Sequence, residues 1–180
     1  IGVSNLRAQR RQRDLHTLLY PQSLMAERVR GVRTSLGFAA GKTRLKTLVV
    51  TSPSSSEGKS STAINLAMSF VQAKKRVVLI DADMRRPRLH QVFEPPIGKE
   101  SVGLSGVLSG RCTIDDALIT GGDVPEGMSI ILCGDVPTSP AELLDGPQAR
   151  KLLAELGERF DLVILDSPPV LPVTDPLILA

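Results

Sequence analysis

VVLIDADMRRP, Val77 to Pro87, runs from four aliphatic residues straight into two aspartates, two arginines and a proline. The apolar run is short, β-branched and has no polar alternation, as a strand buried on both faces of a parallel sheet requires. TSPSSSEGKSS, Thr51 to Ser61, precedes it, and a second apolar run ending in acid, LVILDSPP, Leu162 to Pro169, follows it. In an open parallel sheet the carboxyl ends of the strands share one edge, and ligands bind along that edge. Lys59, Ser60, Asp81, Asp83 and Asp166 therefore gather in one place. Those residue types suit a magnesium-bound nucleotide.

The loop reads residue by residue. Phosphate oxygens need several backbone N–H donors converging from a tight turn, with a helix amino terminus behind them. Ser54, Ser55, Ser56, Glu57, Gly58, Lys59, Ser60 and Ser61 form the candidate ATP-binding stretch. Gly58 lets the backbone approach, Lys59 reaches the β- and γ-phosphates, and the Ser60 hydroxyl ligates magnesium. A helix over 60–73 then offers Ile64, Leu66, Ala67, Phe70 and Val71 to the sheet. The pattern G-x-x-x-x-G-K-[ST] would place glycine where this chain has Pro53. A bare Gly-Lys-Ser is also an ordinary polar turn, and a lone strand-end aspartate is also a helix cap. Two such aspartates beside the loop lysine decide for the phosphate cradle. Pro168 and Pro169 stop the last strand abruptly and fix the loop after Asp166.

These three elements, in this order, resemble the bacterial tyrosine kinases of polysaccharide export, whose P-loop fold is unrelated to that of eukaryotic protein kinases. Ala26-Glu27-x-x-Arg30-x-x-Arg33-Thr34-x-Leu36 is similar to the family's E-x-x-R-x-x-R oligomerisation helix. Cys133-Gly134-x-x-Pro137-x-x-Pro140-Ala141-Glu142-Leu143-Leu144 resembles the family segment before the last strand of this chain. Phe160-Asp161-x-Val163-Ile164-x-Asp166-x-Pro168-Pro169-Val170, then Thr174-Asp175, extends the likeness, which covers about residues 23–180. The D-x-D-x-R element joined to the E-x-x-R-x-x-R helix is its specific part; the P-loop alone is not.

The resemblance implies an α/β, P-loop NTPase fold of the MinD/ParA-like branch, a mostly parallel sheet with helices on both faces. It implies an ATP- and Mg2+-dependent tyrosine autokinase domain that regulates extracellular polysaccharide production. Lys59 and Asp81 take the catalytic roles, Asp81 as the base for an incoming tyrosine hydroxyl. Ser60, Asp83 and Asp166 hold the metal, directly or through water. Glu27, Arg30 and Arg33 mediate assembly into a homo-oligomeric ring. The implied partners are a transmembrane chain-length regulator and a tyrosine-rich tail as substrate, at the cytoplasmic face of the bacterial inner membrane. Phosphoryl transfer needs positioning and charge neutralisation more than covalent chemistry, so this division of labour is physically reasonable.

Two other readings use the same residues. Partitioning and cell-division-site ATPases of the MinD/ParA type usually carry an extra loop lysine, where this chain has Ser54. A non-catalytic ATP-binding scaffold of the export machinery would keep the nucleotide site without transfer. Tyr20 is the only tyrosine here, so a tyrosine cluster would have to follow Ala180.

Composition agrees with one α/β domain. Apolar residues make up 42% and aromatics 3%, so aliphatic side chains must form the core. A net charge of +3 is too small to imply a nucleic-acid surface. Arg7, Arg10, Arg11 and Arg13 crowd the start against Asp14, and residues 1–22 read as a basic, solvated leader before a domain at 23–180. Beside a membrane, such arginines would meet anionic lipid. No run of 18 apolar residues exists, and no apolar h-region follows the basic residues. Cys112 and Cys133 lack metal or C-x-x-C spacing, and His16 and His90 read as surface residues. The chain starts at Ile1 and stops at Ala180 as a helix is starting, so it reads as truncated at the C-terminus.

The periodicity predicts helix 23–40, strand 46–51, helix 60–73 and strand 77–81. A glycine-rich stretch over 97–110 breaks any long element, and Thr113 with Asp115 and Asp116 starts a short capped helix. Strand 128–133, helices near 139–145 and 147–158, and strand 160–166 complete the pattern. Strands alternating with helices imply parallel pairing through right-handed crossovers.

Overall fold

Five strands form one sheet in the order β1-β5-β2-β4-β3. They are β1 Thr47–Val50, β2 Val77–Asp81, β3 Leu118–Ile119, β4 Met128–Ile131 and β5 Leu162–Asp166. The computed structural model describes residues 11–41 and 45–179. Strands β1, β5, β2 and β4 pair in parallel, while β3 runs antiparallel along β4. Every residue of β2 and β5 is buried, as an uninterrupted apolar run demands.

Strand alternation sends successive side chains to two separate cores. On one face Val77, Leu79, Met128, Ile130 and Ile164 pack under Ala63, Ile64, Ala67 and Met68 of helix α3, Lys59–Gln72. On the other, Val78, Ile80, Ile131, Val163 and Leu165 meet Leu152 and Leu156 of α7, Pro147–Arg159, together with Phe160. Helices thus cover both faces, in agreement with the sequence.

The helix starts are local chemistry. Helix α2, Leu24–Ala39, begins where the Ser23 hydroxyl accepts from the Ala26 N–H at 3.2 Å. Helix α5, Ile114–Ala117, carries a reciprocal cap between Thr113 and Asp116. Helices α6, Pro140–Asp145, and α7 both start on proline, whose missing N–H costs nothing there.

Three features depart from the sequence reading. The edge strand β3 is only two residues long, too short to carry a period. Strand β4 stops at Ile131, because the Leu132 and Cys133 carbonyls turn aside. They accept from the Leu104 and Ser105 N–H groups, at 2.8 and 3.0 Å, where helix α4, Leu104–Leu108, begins.

The third departure is a correction to the solvated leader. Residues 11–20 pack on the domain: Asp14, Leu15 and Thr17 are buried around helix α1, His16–Leu19. The Thr17 N–H donates to Asn65 Oδ1 at 2.7 Å, Asn65 Nδ2 donates to the Asp14 carbonyl at 3.0 Å, and Gln72 Nε2 donates to the Thr17 carbonyl at 3.0 Å. The polar flank of α3 supplies these partners, which a composition-based reading could not anticipate. Arg7 and Arg10 lie outside the described residues.

The close crossing at the start of α4 yields a test. A Cβ on Gly103 would stand 2.4 Å from both the Gly134 nitrogen and the Leu132 carbonyl oxygen. Gly103→Ala should lower unfolding stability by about 2–3 kcal/mol, the usual cost of overpacking against backbone. Urea titration followed by circular dichroism measures it, and an unchanged midpoint would contradict the crossing.

Candidate active site

The carboxyl edge of the sheet opens into a cavity of about 960 Å3 walled by residues 55–62, Asp83, Arg85, Arg86, Pro168 and Pro169, among others. The loop reaches its shape through two left-handed residues, Gly58 at φ +90° and Ser56 at φ +66°. Only glycine adopts the first freely; the second is uncommon for a serine. The amino terminus of α3 stands directly behind, with the Thr62 N–H bonded to the Gly58 carbonyl at 2.8 Å. Free amides and helix dipole together make an anion site. Ser54 is exposed and off the wall; its N–H donates to Glu57 Oε2 at 3.3 Å.

The loop after β5 is stapled to the base of this cradle. Ser167 N–H donates to the Val50 carbonyl at 3.0 Å, Val170 N–H to the Ser52 carbonyl at 2.9 Å, and the Thr51 hydroxyl to the Pro168 carbonyl at 2.7 Å. Pro168 and Pro169 thereby become part of the cavity wall.

The five edge residues are confined together. Lys59 Nζ lies 2.7 Å from Asp83 Oδ2, and the Arg86 N–H donates to Asp83 Oδ1 at 3.0 Å. Asp81 and Asp166 face each other across the β2–β5 register. Both are completely buried and neither forms part of the cavity wall. Asp81 Oδ2 accepts from the Arg88 and Leu89 N–H groups at 2.9 and 2.8 Å, while its Oδ1 has no partner. Neither oxygen of Asp166 has a well-formed hydrogen bond, although the Ser60 hydroxyl is near enough to favour the ionised form.

Burial drives both carboxyls up the pH scale. Asp81 is raised to about 7 by desolvation, then by the charge of Asp166, with the Leu89 and Arg88 amides opposing. Asp166 is raised to about 6 by desolvation, against the Ser60 hydroxyl and the Lys59 charge. Three unpaired, buried carboxylate oxygens are the donor set that a hard cation relieves. Among the described residues no three His, Cys, Asp or Glu side chains form a ready metal cage. Magnesium does not need one, since it keeps waters and phosphate oxygens as ligands. Ser60 and Asp166 fit that ion. Asp83 lines the cavity and holds Lys59 at 2.7 Å.

Sequence reasoning missed the second layer. Arg85 clamps the buried Asp175 through two bonds of 2.9 and 3.0 Å. Asp14 accepts from the Ser61 hydroxyl and pairs with Arg88 Nη2 at 2.9 Å. For Asp14 the available signal was a single acid amid arginines; Arg85 and Asp175 stood in motifs already read from the sequence, whose pairing no local pattern reveals.

Residues 48–167 match the CobQ/CobB/MinD/ParA nucleotide binding domain. Tyrosine-protein kinase YwqD of Bacillus subtilis (strain 168) is 37% identical over 96% of this chain and 71% of its own length. The chain belongs to the bacterial tyrosine-protein kinases. The kinase domain superposes on the chimerical protein CapA2B2 with a TM-score of 0.85 at 32% identity, covering 92% of this chain and 71% of that one. It spans a much smaller share, 20%, of the tyrosine-protein kinase ptk of Acinetobacter johnsonii, which is 39% identical over 86% of this chain. A plasmid partition protein from Borrelia burgdorferi, at 19% identity and TM-score 0.58 over 74% of this chain and 60% of that one, shares the fold alone. The fold is accordingly the MinD/ParA-like P-loop architecture that the sequence implied.

The raised carboxyl of Asp81 gives a signed pH test on the nucleotide-free kinase domain. Its stabilising contribution is complete below the ordinary value of 3.8 and is lost as pH climbs to about 7, because the fold must then hold a buried charge. Asp81→Asn removes that loss. Its Tm relative to the parent should therefore rise steadily between those pH values and level off above them. A difference independent of pH, read by differential scanning fluorimetry, would contradict the assignment.

Proposed function

We propose that this kinase domain transfers the γ-phosphoryl group of magnesium-bound ATP to tyrosine side chains. The convergence of Lys59, Ser60 and the unpaired Asp166 oxygens at one strand edge carries the reading. Arriving phosphates draw Lys59 away from Asp83 and replace one carboxylate partner with several anionic oxygens. The amides of the loop and of α3 bind the phosphate chain. Mg2+, when bound by Ser60 and Asp166, supplies charge neutralisation to the β- and γ-phosphates. Asp81 takes the proton as the tyrosine oxygen bonds to the γ-phosphorus and the bond to the departing ADP breaks. A carboxyl raised to about 7 has the basicity that a general base needs near neutral pH. In this arrangement Asp81 is enclosed, so the 84–88 loop must yield to admit the hydroxyl.

The setting we infer is the regulation of capsular or extracellular polysaccharide export at the cytoplasmic face of the bacterial inner membrane. A transmembrane chain-length regulator, in the same or a separate chain, is the partner, and a tyrosine-rich tail is the substrate. No helix among the described residues is long and apolar enough to cross a membrane. The kinship with tyrosine kinases at 37% identity favours transfer over a partitioning role or a silent ATP-binding scaffold.

Lys59→Met should reduce transfer to a supplied tyrosine-rich peptide by roughly a thousand-fold, since it removes the fixed positive charge at the γ-phosphate. Radiolabelled phosphate incorporation measures it. Undiminished transfer would reject the P-loop assignment, and hydrolysis without transfer by the parent would favour the other readings.

Assembly through α2 completes the proposal. Glu27 and Arg30 pair within the helix, Arg30 Nε to Glu27 Oε2 at 3.1 Å, and Arg30 Nη1 donates to the Pro21 carbonyl at 2.8 Å. Arg33 is engaged inward, on the Ser69 carbonyl and hydroxyl of α3. Leu24, Val32 and Phe38 leave large apolar side chains exposed, Phe38 by 80%. A second copy of the chain would cover them, and repetition would close a ring. Glu27→Arg spares the internal Arg33 contact while reversing one exposed charge. It should shift a full-length assembly toward monomer by light scattering with circular dichroism unchanged; an unaltered mass would return α2 to a purely structural role.

A further inference from the structure

Asp14 is a carboxylate 1% exposed, 67 positions before Asp81, and no step described so far uses it. Its two oxygens face two different parts of the active site. Oδ1 accepts from the hydroxyl of Ser61, one turn into the phosphate-loop helix. Oδ2 pairs with Arg88 Nη2 at 2.9 Å. Arg88 in turn donates its backbone N–H to Asp81 Oδ2 at 2.9 Å, beside the Leu89 N–H at 2.8 Å. The Asp14 backbone is itself fixed, because Asn65 Nδ2 donates to its carbonyl and Asn65 Oδ1 accepts from the Thr17 N–H. Arg13 contributes a looser contact, 3.7 Å from Asp14 Oδ1, with its own side chain 65% exposed.

We propose that Asp14 and Arg88 are positioning residues for phosphoryl transfer. They form a tie between the N-terminal segment, the phosphate-loop helix and the loop that aims Asp81. The inference rests on the reading of Asp81 as the base that receives the tyrosine proton.

The energetics favour a tie over incidental packing. A buried carboxylate is costly unless it is paired and hydrogen-bonded, and Asp14 has a charged partner and a neutral one. Neither of the two close partners belongs to the segment that carries Asp14, which leaves only the looser Arg13 contact within it. The segment therefore cannot leave without exposing Arg88 and removing one of the two ties on the 84–88 loop, the other being Arg85 with Asp175. Two backbone amides then lose their fixed direction toward Asp81. One oxygen of Asp81 is held while the other stays unpaired, which fixes the carboxylate plane without occupying the atom available to take a proton. Small misplacements of a reacting group cost rate steeply while leaving nucleotide binding largely untouched. The same geometry makes the tie a route by which a pull on the N-terminal segment reaches the chemistry.

The test compares Asp14→Asn, Arg88→Met, Arg88→Lys and the double variant Asp14→Asn with Arg88→Met, in the full chain. Transfer to a supplied tyrosine-rich peptide gives kcat, and ATP titration gives KM. Asp14→Asn and Arg88→Met should each lower kcat roughly ten-fold, with KM for ATP within about two-fold, as expected for a misdirected base. The double variant should fall no further than either single one, because both cut the same tie. Arg88→Lys keeps a cation for Asp14 and should recover most of the rate. Hydrogen exchange at the Arg88 and Leu89 amides reads the tie without any reaction, and should quicken in Asp14→Asn.

Unchanged exchange overturns the tie, whatever the enzyme does. Quickened exchange with an unchanged or raised kcat overturns the positioning role. Additive losses that track a fall in Tm would mark the pair as structural only. A parent chain that transfers no phosphate fails the kinase reading itself, and the positioning role built on it falls with that reading.

Discussion

Two parallel strands in register, each buried on both faces, set Asp81 beside Asp166 at the edge of the sheet. Nothing in the strands themselves can satisfy those carboxyls. A parallel ladder consumes the backbone groups, and the neighbouring side chains are Val, Leu and Ile. The fold therefore brings buried acid to one place, and everything around it is arranged to manage the cost. Lys59, the Ser60 hydroxyl, and the amides of Arg88 and Leu89 are that arrangement. In the proposed function a cation and a phosphate chain would relieve the same frustration.

The pairing of Lys59 with Asp83 also explains how the loop lysine is held in place. Lys59 is mostly buried and would be expensive without an anion, so Asp83 holds it at 2.7 Å. Both Asp83 oxygens are engaged, one by the lysine and one by the Arg86 amide. On the proposed function, nucleotide binding would be an exchange of partners, with less new desolvation than a naked lysine would need. Such an exchange would also couple the 84–88 loop to occupancy, because the Arg86 amide, bonded to Asp83, sits in that loop.

Outside the nucleotide site, the domain is stitched by contacts between segments far apart in sequence. Arg85 with Asp175 ties the aspartate loop to α8, Asp175–Leu179, and Asp14 with Arg88 ties it to the N-terminal segment. The loop that carries Asp83 and follows Asp81 is thus held from two opposite ends of the chain. Preorganisation of this kind is what phosphoryl transfer requires, because its catalysis is largely positioning and electrostatics.

The amino-acid sequence by itself determined the parts that depend on local chemistry. The apolar runs at Val77–Ile80 and Leu162–Leu165 can only be strands buried on both faces, and helices between them require parallel pairing. The Gly58-Lys59-Ser60 turn, the Thr113 cap and the proline-led helices α6 and α7 were legible for the same reason: each works within a few residues. Family kinship was legible in the spacing of Glu27, Arg30 and Arg33 and in Asp81-x-Asp83-x-Arg85. Only the tertiary structure decided how Asp14, Arg88 and Asp175 are used, and that Lys59 rests on Asp83. It alone placed Leu132 and Cys133 as acceptors for α4, and packed residues 11–20 onto the domain. These are pairings across 24 to 90 positions. Charge pattern and periodicity are local quantities, and a salt bridge between distant segments leaves no trace in either until the chain has folded.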